Sequence, residues 1–348
     1  MAYATINKPS DYFNTVLYTG NGGTNAVTGV GFKPDWIWVK ERSSTSGHRL
    51  ADTTRGATKS LSSNDTGLET TNANIFSSLD SDGFTQGADN GVNENTQTYV
   101  AWNWKANAGS TSSNTDGSIT STVQANTTAG FSIVTWTGTG ANATVGHGLG
   151  KTPKIVIVKN RSNSDNWTVY NNNLSDSKAL FLQDTNAEIP TSSYNFWSLY
   201  WNETDPTSSV FSVGVDNSVN GSSDNIIAYC FAEIEGYSKF GKYTGNGSTD
   251  GTFVYTGFRP AWILFKQTQN AGGWTMKDNK RSPENPADER LLADDVPAES
   301  TGADIDFLSN GFKCRSASNA VNGSENYIYL AFAEAPLVGT NNIPATAR

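Results

Sequence analysis

The residues of this chain that could perform acid–base or nucleophilic chemistry are few and scattered. Only two histidines are present, His48 and His147, and they occupy different places in the sequence pattern, so no Ser-His-Asp or Cys-His arrangement recurs. Carboxylate pairs such as Asp80 and Asp82 lie in turns rich in glycine or serine. A glycosidase needs two carboxylates that face one cleft, whereas solvated turn acids explain these pairs. We therefore expect no enzyme activity, and a polysaccharide depolymerase is the less favoured alternative.

Two acidic turns offer oxygen ligands of the kind that calcium prefers. They are Asp80-Ser81-Asp82-Gly83 and Asp304-Ile305-Asp306. Neither fits the twelve-residue helix–loop–helix calcium site, and aspartate is common in turns without a metal. The glycine-rich stretches 20–23 and 146–150 also lack the Lys-Ser/Thr pair of a phosphate-binding loop. We expect no cofactor, and calcium is the one ion that these turns could hold.

An aromatic cluster is the best candidate for a contact site. The chain contains three copies of one sequence pattern. The segment 194–203 (YNFWSLYWNE), in the second copy, is far richer in aromatic residues than the corresponding segments of the other two. Its five candidate contact residues are Tyr194, Phe196, Trp197, Tyr200 and Trp201. Aromatic side chains at a surface bind sugar rings, neighbouring subunits or other proteins. The same segment could instead fold over the open end of its own domain, and the sequence leaves both interpretations open.

The elements that would position these residues occur three times. A proline and an apolar run ending in lysine appear at 32–40 (FKPDWIWVK), 152–159 (TPKIVIVK) and 258–266 (FRPAWILFK). An aromatic residue and a glycine turn precede each run, and a Val-Asn pair follows it before the last apolar segment. Trp167 and Trp274 occupy equivalent places, where the first copy has His48. Each unit spans about 115 residues, the length of a small domain rather than of a solenoid repeat.

Strand periodicity predicts the fold class. The apolar runs are too short for buried helices and fit strands covered on both faces, while 98–104 (TYVAWNW) alternates. We predict an all-β fold of three tandem antiparallel β-sandwich domains, of jelly-roll or concanavalin-like type. The predicted domains are 1–107, 108–236 with a Ser/Thr/Gly-rich linker before it, and 237–348. The best helix candidate is one or two turns at 286–292, and the short junction at 236–240 predicts that the last two domains pack together.

Bulk properties exclude several classes of partner. The formal net charge is −9 and no lysine–arginine cluster occurs, which argues against nucleic-acid binding. No apolar stretch reaches the length that a membrane span needs. Cys230 and Cys314 lie at different points of their copies, so we predict two buried free thiols rather than a disulfide framework.

Four motifs carry a resemblance to a known family. They are 7–13 (NKPSDYF), 18–22 (YTGNG), 257–262 (GFRPAW) and 329–334 (YLAFAE). Together they resemble a family of virion structural proteins encoded by marine phages, including cyanophages and phages of abundant ocean bacteria, and the resemblance covers essentially the whole chain. It implies a structural virion component built of β-sandwich domains, tail-fibre-like or capsid-decorating, with no assigned catalytic residues.

The resemblance and the repeats together lead to a functional hypothesis. We expect an appendage or capsid-attached protein that mediates adhesion to the host surface or its glycans. The alternative is a purely architectural virion protein that joins or decorates other subunits. Expected partners are other virion proteins, and a homo-oligomer, a trimer by analogy with fibres, is expected. Residues 1–9 lack the basic and apolar regions of a signal peptide, so we expect assembly in the host cytoplasm and a location in the virion.

Overall fold

Antiparallel strands dominate the chain, which confirms the predicted all-β class. The computed structural model describes residues 4–175, 178–188 and 195–339. Strands account for 43% of it and helices for 5%. Among the described residues, no helix combines the length and the hydropathy of a membrane-spanning segment. Cys230 and Cys314 are free and buried, as the sequence predicts.

The first copy, called repeat 1, contains two antiparallel sheets and a small hairpin. Its elements are a 3₁₀ turn (Pro9–Asp11), β1 (Phe13–Thr19), β2 (Asn25–Thr28), β3 (Trp36–Glu41), β4 (Arg49–Asp52), β5 (Lys59–Ser60), β6 (Thr70–Thr71), β7 (Ser78–Asp80), β8 (Gly83–Gln86), α1 (Asn90–Asn93) and β9 (Thr98–Trp104). The main sheet has the order β1-β9-β3-β4, the second sheet has the order β2-β8-β7, and β5 pairs with β6.

Repeat 2 enlarges the same plan. Its elements are β10 (Ser112–Asn114), β11 (Ser121–Asn126), β12 (Phe131–Thr137), β13 (Ala143–Gly146), β14 (Ile155–Asn160), β15 (Trp167–Asn171), β16 (Ala179–Phe181), α2 (Phe196–Trp201), β17 (Val210–Val213), α3 (Asn217–Asn220) and β18 (Asn225–Phe231). The main sheet has the order β10-β11-β12-β18-β14-β15-β16, and β13 pairs with β17. The Ser/Thr/Gly-rich stretch 106–130 thus contributes β10 and β11 to this sheet.

Repeat 3 forms one ladder that is nearly closed and barrel-like. Its strands are β19 (Ser238–Thr244), β20 (Phe253–Tyr255), β21 (Phe258–Gln267), β22 (Thr275–Asp278), β23 (Ala287–Leu292), β24 (Ser300–Leu308), β25 (Gly311–Cys314) and β26 (Asn326–Pro336). The order is β19-β26-β21-β22-β23-β24-β25-β20. The helix predicted at 286–292 is wrong, because that segment is β23 and pairs with β22 and β24. Pairing on both sides outweighs a local helix propensity.

The three main sheets share one order of four neighbouring strands. The common order appears as β1-β9-β3-β4, β12-β18-β14-β15 and β19-β26-β21-β22. The proline-containing run supplies the third strand of each set, and every residue of β3 and β14 is buried. The sequence repeat is therefore also a repeat of sheet topology.

Each run is buried on both faces for two different reasons. In β3, Ile37 and Val39 pack into a cluster that belongs to repeat 1 alone. The alternating residues Trp36 and Trp38 point to the other face, into a cluster with members from all three repeats. Repeats 2 and 3 likewise have clusters of their own. The sheets thus surround a shared core, which we call the central core.

Aromatic rings from different repeats meet directly in the central core. The Trp36 ring stacks on Tyr229 of repeat 2, with centroids 4.3 Å apart. Phe332 of repeat 3 lies 5.2 Å from Phe13 of repeat 1 and 5.8 Å from Phe231 of repeat 2, between ring centroids. Full burial of one large apolar side chain contributes about 1.5–3 kcal/mol. Separating the repeats would therefore expose a large stabilising surface.

Candidate functional site

The predicted aromatic segment forms the short helix α2. The Asn195 side chain caps its first turn by accepting a hydrogen bond from the Ser198 N–H at 3.0 Å. Asn202 ends it in the left-handed conformation, with φ of 48°. One helical turn places the Phe196 and Tyr200 rings side by side, stacked with centroids 5.3 Å apart. Tyr194 lies outside the described residues.

Most of the described rings of α2 pack inward. Tyr200 and Trp201 are buried in the cluster of repeat 2, and Phe196 and Trp197 are half-buried against it. Trp201 packs edge-on against Tyr170, with centroids 5.5 Å apart. This packing supports the interpretation that the segment covers its own sheet. A contact role for the half-buried Phe196 and Trp197 stays a prediction.

The repeated Val-Asn pair and the glycine turn form a structural clamp. The buried Asn93 Nδ2 donates to the Gly23 and Gly87 carbonyls at 2.6 and 2.8 Å, and its Oδ1 accepts from the Asn21 N–H at 2.9 Å. Asn220 and Asn322 make the equivalent bonds in their repeats. These glycine turns are therefore held by the protein itself.

In the acidic turns that could bind calcium, the carboxylates of Asp80, Asp82 and Asp306 have partners within the protein. Asp82 accepts hydrogen bonds from the Gly29 and Gly31 N–H groups at 3.2 and 2.6 Å. Asp80 accepts from the Thr85 hydroxyl, and Asp306 pairs with Arg315 at 3.3 Å. Across the described residues, no group of three or more His, Cys, Asp or Glu side chains is placed to hold a metal ion. The turns thus have structural partners.

Equivalent backbone hydrogen bonds join neighbouring repeats at three junctions. At each junction the backbone N–H of a glutamate donates to a carbonyl of the next repeat. The bonds run from Glu69 to Arg161 (3.0 Å), from Glu188 to Thr268 (2.8 Å) and from Glu299 to Arg42 (2.7 Å). They connect repeat 1 to repeat 2, repeat 2 to repeat 3, and repeat 3 back to repeat 1. Equivalent head-to-tail contacts that return to their start form a closed ring.

A ring nitrogen also bridges each junction. Trp167 Nε1 donates to the Ser62 carbonyl at 2.8 Å, and Trp274 Nε1 donates to the Phe181 carbonyl at 2.9 Å. At the third junction His48 occupies the tryptophan position, and its Nε2 lies 2.8 Å from the Leu292 carbonyl. All three acceptors are backbone oxygens at matching places in the neighbouring repeat.

The hydrogen bonds of His48 determine its tautomer and charge. Its Nδ1 accepts from Trp38 Nε1 at 2.7 Å, so Nε2 carries the proton that is donated to Leu292. Burial and, to a smaller extent, the nearby Lys40 charge lower the pKa of His48 to about 3. The other histidine, His147, contacts the Thr207 carbonyl and the Leu149 N–H instead. His48 is therefore a neutral structural group, and the two histidines bind different partners.

Buried ions join repeat 1 to repeat 2. Arg55 and Asp52 are fully buried and 2.5 Å apart, and the Tyr229 hydroxyl donates to the same Asp52 oxygen at 2.8 Å. Glu69 forms ion pairs with Arg55 of its own repeat at 3.2 Å and with Arg161 of repeat 2 at 2.8 Å. Burial alone would raise the pKa of Glu69, but the two arginines outweigh it and lower that pKa. The cluster is charged and internally satisfied.

Repeat 3 presents the same cluster to repeat 1. Arg281 and Asp278 are fully buried and 2.5 Å apart, and Trp102 Nε1 donates to Asp278 at 3.0 Å. Glu299 accepts from Arg281 at 2.8 Å and from Arg42 of repeat 1 at 2.6 Å. Each residue thus has the partner that its counterpart has at the other junction.

The junction between repeats 2 and 3 lacks the buried Asp–Arg pair. Asn171 and Leu174 stand where the other junctions have Asp and Arg, and Leu330 replaces the ring that donates to the aspartate. Leu174 and Leu330 are buried in the central core. Thr268 stands where the other junctions have Arg42 or Arg161. Apolar packing replaces the ion pair here.

The lysine that ends each apolar run is buried and reaches across the junction in two repeats. Lys159 Nζ donates to the Thr66 carbonyl of repeat 1 at 3.1 Å, and Lys266 Nζ donates to the Thr185 carbonyl of repeat 2 at 2.9 Å. Burial lowers the pKa of Lys159, of Lys266 and of the equivalent Lys40 to about 8. The ammonium groups of Lys159 and Lys266 therefore join neighbouring repeats. The carbonyl oxygens that they contact compensate part of the cost of burying them.

Sequence reasoning missed the junction residues, although two signals pointed to them. The lysine recurs at the end of every apolar run, where a sandwich core alone needs no cation. His48 aligns with two tryptophans, and these side chains share a ring N–H donor. Together the two signals indicate a repeated polar contact rather than a catalytic histidine.

Comparison with known proteins identifies a family without identifying a function. A family model described as a domain of unknown function (DUF7483) matches residues 8–336. No curated protein matches the chain, and no solved structure matches it either.

Proposed function

This chain belongs to the DUF7483 family, and we propose that it is a non-catalytic structural component of a virus particle. In this proposal it is an appendage or capsid-attached protein that contacts other virion proteins and the host surface. Its setting is the outside of a particle assembled in the host cytoplasm, as the four family-like motifs imply.

The closed ring of repeats is the observation that carries the proposal. The repeated side chains serve packing, turn clamping or the junctions, and the two histidines contribute separately to structure. The chain is thus a preassembled three-part unit that needs no disulfide, since both cysteines are free. A rigid unit of this kind suits a particle that must persist outside cells.

We further propose that each repeat is an antiparallel β-sandwich domain of jelly-roll or concanavalin-like type. In repeats 1 and 2 the main sheet faces a smaller sheet across the repeat's own apolar cluster. In repeat 3 the strands of both layers belong to one ladder. The three domains would then meet through the outer faces of their main sheets.

Adhesion and pure architecture make different demands on the surface. The half-buried Phe196 and Trp197 favour adhesion if they face solvent in the particle. The buried Tyr200 and Trp201 favour architecture, because they hold α2 on its own sheet. Binding of host polysaccharide that is lost in Trp197→Ala would support adhesion through α2, and unchanged binding would exclude that surface.

A cryo-EM map of the intact particle tests the proposed function. We expect density for the three-repeat unit on the tail or on the outer capsid surface, in contact with other virion proteins. Purified, infectious particles that lack the chain would contradict the proposal. Release of reducing sugar from host envelope by the pure protein would favour the depolymerase alternative instead.

A further inference from the structure

Repeat 3 alone exposes two aromatic rings at positions where the other repeats have small side chains. Strand β20 pairs with β25 as β2 pairs with β8 and β13 with β17. The central residue of each strand is a buried valine opposite a phenylalanine. The two flanking residues are Phe253 and Tyr255 in repeat 3, Ala26 and Thr28 in repeat 1, and Thr144 and Gly146 in repeat 2. The fold therefore does not require aromatic rings here.

These two rings are the only bulky side chains of β20 that face solvent. Phe253 is 45% exposed and Tyr255 is 58% exposed, whereas Val254 between them is buried. Residues two apart on a strand point to the same side, about 7 Å apart. The rings therefore form a small platform at the edge of the ladder.

The platform borders a large cleft. This cleft has a volume of about 870 Å³. Residues 255–257 line one side, Glu233, Glu235, Gly236, Ser238 and Lys239 line the other, and Ala4, Leu337 and Val338 complete the lining. It lies where β19 begins and β20 ends, which are the two edge strands of the ladder. Its volume is within the range of sites that hold small ligands, about 300–1,000 Å³.

Polar groups of both signs line the same cleft. Glu233 pairs with Lys154 at 3.1 Å and with Lys239 at 3.5 Å, and its Oε1 also accepts from the Phe240 N–H. The Lys239 side chain remains 42% exposed, and Glu235 is exposed. An ammonium donor and a carboxylate acceptor are thus available beside the tyrosine ring.

A sugar ring matches this combination better than a protein partner does. A pyranose has an apolar face that packs on an aromatic ring and a rim of hydroxyls that hydrogen-bond to charged groups. A stable protein interface buries about 800 Å² on each partner around an apolar centre. The two rings, together with Ala4, Leu337 and Val338 of the cleft, provide much less apolar surface than that.

We propose that the cleft beside Tyr255 is a saccharide-binding site, in which the Tyr255 ring packs on a pyranose and Lys239 and Glu235 bind its hydroxyls. Phe253 extends the platform to a second sugar residue. The proposal deepens the adhesion part of the proposed function and rests on it for the biological setting. It assigns binding to repeat 3, whereas the segment singled out from the sequence lies in repeat 2.

The test measures binding of the full chain to an array of oligosaccharides, three to six residues long, built from glucose, galactose, N-acetylglucosamine or rhamnose. We expect binding to at least one of them, weakened at least about ten-fold by Tyr255→Thr, which removes the ring contact. Phe253→Ala is expected to weaken it less. Both variants install the residues of repeat 1, so folding is expected to be retained, which circular dichroism checks.

Two controls make the result specific. Tyr255→Phe keeps the ring and is expected to retain binding within about two-fold, and Val215→Ala changes an exposed apolar residue in repeat 2. No binding to any oligosaccharide, or equal binding by Tyr255→Thr, would overturn the site. Self-association that Tyr255→Thr abolishes, without sugar binding, would also overturn it and assign the platform to a second copy. If the chain binds no sugar but is present in the particle, the saccharide site is excluded and the architectural function stands.

Discussion

The three junctions share one set of contacts, but a buried ion pair is present at only two of them. Two junctions bury an Asp–Arg pair, and the third has Asn171 and Leu174 at the same places. Burying a charged pair carries a desolvation cost that its attraction offsets only when the geometry and the remaining hydrogen bonds are good. The junction of repeats 2 and 3 indicates that the ring can close without the Asp–Arg pair when both partners change together.

Removing only the arginine at the junction of repeats 3 and 1 should be damaging. Arg281→Leu leaves Asp278 buried without its main partner, and we expect a loss of about 3–5 kcal/mol in the free energy of unfolding. The double variant Asp278→Asn/Arg281→Leu copies repeat 2 and should recover most of this loss. Denaturant titration measures both.

A matched control is available in the exposed pair Lys8–Asp11, which has the same spacing along the chain. Lys8→Met should change the free energy of unfolding by less than about 0.5 kcal/mol. A double variant as unstable as Arg281→Leu alone would contradict the equivalence of the junctions.

The buried neutral His48 should make the protein sensitive to acid. Its pKa is about 3 in the folded chain and about 6.5 when unfolded. The unfolded chain therefore binds a proton first, and this contribution to stability is complete above pH 6.5 and is lost as the pH falls towards 3. The loss is at most about 1.4 kcal/mol per pH unit.

Comparison of the parent chain with His48→Trp isolates this effect. The variant carries the tryptophan of repeats 2 and 3 and keeps a ring N–H for the Leu292 carbonyl. Its unfolding free energy should decrease less than that of the parent between pH 6.5 and 5. If tryptophan does not fit, His48→Gln serves the same purpose. Parallel pH profiles for parent and variant would show that His48 does not contribute.

The glycine turn that opens each repeat illustrates how elements are held. A Cβ atom at Gly20 would lie 2.1 Å from the Glu94 carbonyl oxygen, and the equivalent Gly138 and Gly245 face the same obstruction. The close approach lets the turn receive the buried asparagine of the clamp. A larger residue would push the first strand away from the last strand of its sheet.

Two alanine substitutions in one turn separate packing from backbone effects. Gly20→Ala should lower the free energy of unfolding by about 1–3 kcal/mol, because the obstructing atom belongs to the backbone and cannot move aside easily. At Gly23 the nearest atom to a new Cβ is a side-chain oxygen 3.8 Å away, so Gly23→Ala should be nearly neutral. Equal thermal midpoints for the two variants would contradict the clamp.

The elements show what the sequence can and cannot predict. Strand β3 was predictable because its apolar run is short, dense and preceded by proline. The packing of its second face against other repeats was not predictable. Trp36 and Ile37 are both apolar, and the sequence does not indicate which of them faces the central core. Local preference favours a helix at 286–292, yet pairing to β22 and β24 makes this segment a strand. At the candidate site, the aromatic cluster was visible in the sequence, but the inward direction of Tyr200 and Trp201 depends on the fold of repeat 2.

At the scale of the whole molecule, the three repeats behave as subunits of a closed trimer joined into one chain. Each contributes one face to its own cluster and the other to the central core. Neither the core nor the junctions can be completed by one repeat. Folding of the repeats is therefore expected to be coupled.

Differential scanning calorimetry of the intact chain tests this central claim most directly. We predict a single unfolding transition whose calorimetric enthalpy equals its van't Hoff enthalpy, because loss of any repeat exposes the central core of the other two. Three resolved transitions, each with the enthalpy of one repeat, or two transitions that divide the three repeats between them would contradict the closed ring and indicate domains that unfold independently.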